Sequence, residues 1–167
     1  MPQAPSSSRL TYKCLSEEDL ETFSDLVQDS HVREFLMEGM ELSLDECKDF
    51  IAKSKSLQEK CSLGIYLIRL SDKVIGYCGF MDTHPVSADL DVVYAFPMKY
   101  TGQGFATEVC KALLALTAKV QFPADITAVV NPENKHSIKV LEKCQFKNEG
   151  FCEGKLNHLL KYRYSAS

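Results

Sequence analysis

The chain predicts one α/β domain built on a single mixed sheet. Helical and strand-like patterns alternate along all 167 residues, with no repeat, linker or composition break between them. A nearly all-apolar run at 126–130 suits a strand buried on both faces. The length fits one cored domain and leaves little room for a second.

Residues 1–8, rich in Pro and Ser, are expected to be a disordered tail, with the domain covering 9–167. Residues 9–15 alternate (Leu10, Tyr12, Cys14) as a half-buried first strand. Ser16 followed by Glu17, Glu18 and Asp19 reads as a helix N-cap with acids in the first turn, and a helix follows to about Gln28 with Leu20, Phe23 and Leu26 inward. A short helical pattern covers 32–37. Ser43 caps a third helix running to about Leu57, with Cys47, Phe50 and Ile51 as its apolar stripe.

Strands at 62–70 and 73–81 form a hairpin around Ser71 and Asp72. Residues 84–87 turn at Pro85, and 89–97 form another strand. Thr101-Gly-Gln-Gly104 then leads into a helix over 105–120, and Pro123 ends it before the 126–130 strand. Asn131-Pro132 opens a helix to about Cys144, and 146–153 with 155–164 read as a closing hairpin.

The net charge of −4 argues against nucleic acid, which demands a clustered basic excess. No apolar run approaches the roughly 20 residues of a membrane span, and no signal pattern opens the chain. Seven scattered cysteines, none spaced C-x-x-C, predict a reduced cytoplasmic protein with buried thiols. Four histidines without ligand spacing predict no metal, and neither His84 nor His158 is paired with a nucleophilic cysteine.

Two junctions carry chemistry. A strand, a glycine-rich turn and a helix over 92–120 aim unpaired helix-start N–H groups at one point, which suits phosphate. The turn lacks the Lys-Ser/Thr of a Walker loop and the third glycine of a dinucleotide fingerprint. Asn131, Asn134 and Ser137 stand at the next strand-to-helix junction, as helix caps or as the wall of a neighbouring cleft.

Together these segments resemble the GNAT acetyltransferase superfamily. Asp91-Val-Val-Tyr-Ala-Phe-Pro-Met-Lys-Tyr-Thr-Gly-Gln-Gly-Phe-Ala-Thr-Glu108 resembles its fourth strand and pyrophosphate loop. Asn131-Pro-Glu-Asn-Lys-His-Ser-Ile-Lys-Val-Leu-Glu-Lys-Cys-Gln-Phe146 resembles the segment that follows. The wording is closest to the branch containing ribosomal-protein N-terminal alanine acetyltransferases. Thr101 stands where the family has Arg or Gln, and Gln145 where it often has Gly.

The resemblance implies a mixed sheet of about seven strands, helices on both faces and a splay between the fourth and fifth strands. It implies acetyl-CoA as co-substrate, held by Val92, Val93, Tyr94, Thr101, Gly102, Gln103, Gly104, Phe105, Ala106, Thr107, Asn131, Asn134 and Ser137. Backbone N–H groups near residues 93–95 would polarise the thioester carbonyl. A primary amine, on a protein N-terminus or a small molecule, would attack directly, with Asp91 or Asp89 as base and Ser137 as proton donor to the thiolate. The family's usual donor tyrosine is replaced by Leu141. A non-catalytic acyl-CoA sensor and a coenzyme-free interaction module are the rival readings, and a homodimer is compatible with the chain.

Overall fold

The computed structural model describes residues 3–36 and 41–165. Seven strands form one sheet in the order β1-β2-β3-β4-β5-β7-β6. The first four are β1 (Thr11–Cys14), β2 (Ile65–Leu70), β3 (Lys73–Met81) and β4 (Leu90–Ala95), each antiparallel to the next. β4 runs parallel to β5 (Ile126–Val130), which pairs antiparallel with β7 (Leu160–Tyr164), and β6 (Lys147–Phe151) closes the edge.

Side-chain alternation builds a core on each face of this sheet. In β2, Tyr66 and Ile68 face one cluster while Ile65 and Leu67 face the other. Helices α1 (Leu20–Gln28), α2 (Ser30–Leu36) and α3 (Leu44–Cys61) cover the second face. There Phe23 meets Phe50 at 4.9 Å and Tyr77 edge-on at 5.3 Å, locking α1 and α3 onto β3. Helices α4 (Phe105–Lys119) and α5 (Lys135–Lys143) cover the first face through Val109, Leu113 and Leu141.

The predicted caps form. Ser43 Oγ accepts from Glu46 N–H at 3.1 Å while Glu46 Oε1 accepts from Ser43 N–H at 3.0 Å, and at Ser16 both the N–H, at 3.0 Å, and Oγ, at 3.2 Å, donate to Asp19 Oδ2. Met37, which the pattern placed in the second helix, and the acidic Glu38 lie outside the described residues. All seven cysteines are free thiols, and Cys47, Cys78, Cys110 and Cys144 are buried. Among the described residues no helix is long and apolar enough to cross a membrane.

Several features differ from expectation, among them α3 running on to Cys61 and β2 starting only at Ile65. α5 starts at Lys135, because residues 131–134 are used in a turn that caps it. β7 starts at Leu160 and not at residue 155, because Gly154 takes a left-handed φ of 74° and a 3₁₀ turn follows. The N-terminal segment from residue 3 is packed against the domain. Gln3 carbonyl oxygen accepts from Tyr66 Oη at 3.1 Å, and Ser7 Oγ donates to Glu108 Oε2 at 2.6 Å.

Arg163 ties the closed end of the sheet together. Its Nη1 donates to Asp89 Oδ2 at 2.9 Å and to Asp125 Oδ2 at 3.1 Å, and its Nε to Glu149 Oε2 at 3.0 Å. Partial burial of Asp89 opposes its ionised form, but the bonds from Arg163 and from Asp125 N–H outweigh it and hold the carboxyl below its ordinary 3.8. A depressed folded pKa stabilises the fold above the unfolded value, and that stability is lost as pH falls through the folded value. Arg163→Gln is therefore expected to unfold earlier than wild type in urea at pH 7. The gap should narrow as pH is lowered toward 3, which urea midpoints across pH will read.

Candidate active site

β4 and β5 pair only at Leu90–Ile126 and Asp91–Thr127, and beyond that apex they diverge. Leu90 N–H donates to Asp125 carbonyl oxygen at 3.2 Å, so the amides of β4 that face β5 belong to Leu90, Val92 and Tyr94. Only that of Tyr94 lies well beyond the last paired residue. This refines the expectation for residues 93–95: Val93 and Ala95 turn their amides toward β3.

The Tyr94 side chain crosses to α5, where its hydroxyl lies 2.9 Å from Ser137 Oγ. Burial pushes the Tyr94 phenol well above its ordinary value, so it stays protonated across the neutral range. Ser137 is positioned in turn by Asn134, whose Oδ1 accepts Ser137 N–H at 3.2 Å as the cap of α5. Asn131 is used similarly, accepting from Glu133 N–H at 2.9 Å.

At the open end of the cleft the glycine-rich turn has left-handed φ at Gly102 (76°) and Gly104 (81°). Gly104 occupies the N-cap of α4 and brings no capping side chain, so the helix's first N–H groups remain available to an anion. Thr101 and Gln103 spend their side chains on the turn itself, donating to Met98 oxygen at 2.6 Å and to Lys99 oxygen at 3.1 Å.

Arg9 braces this turn from outside. Its Nε donates to Glu108 Oε1 at 2.7 Å, its Nη1 to Gln103 carbonyl oxygen at 3.0 Å, and its guanidinium lies over Phe105 at 4.5 Å. In a trans peptide the C=O and N–H point opposite ways, so Arg9 turns the Gly104 amide away from itself. Burial of Glu108 opposes its charge, but Ser7 and Arg9 outweigh that and hold the carboxyl below its ordinary value.

Tyr94, Thr101, Gly102, Gly104, Phe105, Ala106, Asn134 and Ser137 line one cleft. His31 and Val32 of α2, with Ala95, Phe96, Tyr100, Val129, Val130 and His136, complete it. Val92, Val93, Gln103, Thr107 and Asn131 do not line it. Val92 is buried in the α4–α5 core, and Val93 faces the α1–α3 side. Of the two candidate bases, Asp89 is committed to Arg163 and the Asp125 amide, away from the cleft. Asp91 sits at the apex, bonded by Thr83, His84 and Thr127.

Apolar periodicity foretold none of the Arg9, Tyr94 and His84 contacts. Arg9 meets Glu108 across 99 residues. Only the exposed arginine just before an amphipathic strand hinted at a partner.

Residues 9–147 match the family model described as acetyltransferase (GNAT) domain. The uncharacterized N-acetyltransferase p20 of Bacillus licheniformis is 26% identical over 146 residues, covering 86% of this chain and 82% of that protein. One solved structure of like fold is the Salmonella typhimurium acetyl transferase that modifies the N-terminal serine of ribosomal protein L7/L12. It has a TM-score of 0.77 and 18% identity over 96% of this chain and 97% of its own. Another is the Vibrio cholerae spermidine N-acetyltransferase in complex with CoA and spermine, with a TM-score of 0.74 and 18% identity over 93% and 95%. At such identity these two speak for the fold alone, whereas the family model spans most of the sequence. The chain belongs to the GNAT acetyltransferase family.

Proposed function

We propose that the protein transfers the acetyl group of acetyl-CoA, by direct attack, to a primary amine on a protein N-terminus or a small molecule. One observation carries the reading: the uncapped start of α4, the unpaired Tyr94 amide and the Tyr94–Ser137 hydroxyl pair all border one cleft. The first suits the pyrophosphate and the second the thioester oxygen. The third supplies a proton to the departing thiolate.

The Tyr94–Ser137 pair weighs against a non-catalytic sensor. That rival drew strength from Leu141 standing at the usual donor position, and Tyr94 brings a phenol to Ser137 in the first turn of α5 from the facing strand. Asp89, tied to Arg163, is dropped as a base, and Asp91, at the apex, keeps a place among the groups that handle the amine's proton.

The acceptor class takes its range from the two neighbours, one named for a protein N-terminal serine and one for spermidine. A thiol-release assay with acetyl-CoA, spermidine and a serine-initial peptide tests it. Turnover of either supports transfer, whereas coenzyme binding without turnover over a broad amine panel would favour the sensor.

Arg9→Ala is expected to raise KM for acetyl-CoA about tenfold, equivalent to ~1.4 kcal/mol, with kcat little changed. Lysine at this position should not restore it, since an ammonium cannot serve Glu108 and the Gln103 carbonyl in one plane. Initial rates at varied acetyl-CoA concentration decide the matter.

A further inference from the structure

The apex of the splay holds a polar cluster around Asp91, whose other members, Thr83, His84 and Thr127, have no use in the steps above. Thr127 is fully buried on β5, and its hydroxyl bonds to Asp91 Oδ1. Thr83 Oγ1 donates to the other carboxylate oxygen at 2.5 Å. His84, between β3 and β4, places Nε2 at 2.9 Å from Thr127 Oγ1 and 3.3 Å from Asp91 Oδ1. An ionised carboxylate only accepts, so the one hydroxyl proton of Thr127 goes to Asp91 and the Thr127 oxygen accepts from the ring. Nε2 thus faces two acceptors and carries the proton, and the neutral ring has its lone pair on Nδ1. Among the described residues Nδ1 has no hydrogen-bond partner, and the His84 side chain is 20% exposed.

The cluster lies on the α1–α3 face, because Asp91 alternates with Val92 and shares its side of β4 with Val93 and Ala95. The Tyr94–Ser137 pair lies on the opposite face. The Tyr94 amide is three residues, about 10 Å, further along β4.

We propose that His84 Nδ1 is the base that receives the acceptor amine's proton, with Asp91 and Thr127 holding the ring in the required tautomer. The inference rests on the acetyl-transfer reading. The ammonium N–H bond breaks and its proton passes to Nδ1, directly or through water, while Asp91 offsets the imidazolium charge. The freed lone pair forms the C–N bond at the thioester carbonyl. The C–S bond then breaks with its electron pair on sulfur. The thiolate takes a proton from the Tyr94–Ser137 pair, which regains one from the new amide nitrogen, and His84 returns its proton to water.

Asp91 on β4 is bonded to the ring, Arg163 and Lys161 stand opposite Thr127 and Val129 across β5 and β7, Cys152 of the β6–β7 connection feels the charges of Asp91 and Lys161, and Asp82 lies two residues before His84. Arg163 is committed to Asp89, Asp125 and Glu149, which leaves Asp91 as the group bonded to the ring.

His84→Gln in the full chain tests the assignment, with acetyl-CoA, spermidine and a serine-initial peptide as probes. Acetyl-CoA affinity should stay within about twofold of wild type, while kcat falls on the order of 100-fold. The rise of kcat/KM with pH that an imidazole base contributes should disappear. Nitrogen-15 NMR of the unsubstituted protein should show the neutral ring protonated at Nε2, a readout that needs no acceptor. Unchanged kcat with an unchanged pH profile, or a proton on Nδ1, would overturn the role of His84. Failure of wild type to bind acetyl-CoA would instead overturn the acetyl-transfer reading beneath it.

Discussion

Gly104→Glu is expected to weaken acetyl-CoA binding by at least about 100-fold, or roughly 3 kcal/mol. Gly104 has φ 81°, where an L-residue costs about 1–2 kcal/mol, and it is the N-cap from which α4 offers its first amides. A Cβ there would stand 3.4 Å from Arg9 Nη2, so the new carboxylate points first at the guanidinium that braces the turn. It would draw Arg9 from Glu108 and the Gln103 carbonyl, and it would set a negative charge beside the site meant for pyrophosphate. Gly104→Ala separates these effects: it retains the backbone cost without the charge and should lose about tenfold. Titration of each variant with acetyl-CoA supplies the check, and wild-type affinity in the glutamate variant would refute the phosphate site.

The second large effect falls on kcat. Tyr94→Phe and Ser137→Ala each remove one hydroxyl of the 2.9 Å pair, and each should lower kcat about 10–100-fold while leaving acetyl-CoA affinity nearly intact. The double variant should be little worse than either single one, because the two hydroxyls act as one relay. The phenol remains protonated well above its ordinary range, so no loss of kcat from Tyr94 is expected as pH rises to 10. Thiol-release kinetics across pH, paired with coenzyme titration, distinguish this role from a structural one. Equal losses in binding and turnover would mean that the pair merely shapes the cleft.

The glycine-rich turn was legible because its chemistry is local. Gly102 and Gly104 have the left-handed angles that glycine tolerates best, and the amides they expose follow from helix geometry. Ser43 with Glu46 was legible for the same reason, since both partners of the cap lie within one turn. What escaped is what the tertiary fold brings together. Arg9 reaches Gln103 across 94 residues, and Ser7 reaches Glu108 across 101, so the segment expected to be a loose tail runs into contacts with the glycine-rich turn and α4. Tyr94 appeared as one more alternating strand residue, although its hydroxyl reaches Ser137 on α5. Asp89 and Asp91 were equivalent in sequence. Strand ends separate them, one tied to Arg163 and the other placed at the apex.

The central claim is that the cleft between β4 and β5 takes acetyl-CoA, and calorimetric titration of the purified protein tests it most directly, with CoA and NADPH as comparisons. Saturable one-to-one binding of acetyl-CoA with micromolar affinity, on the order of −8 kcal/mol, is expected, with no comparable binding of NADPH. No detectable heat with acetyl-CoA, at concentrations where the fold is intact, would contradict it and leave a coenzyme-free interaction domain as the better reading.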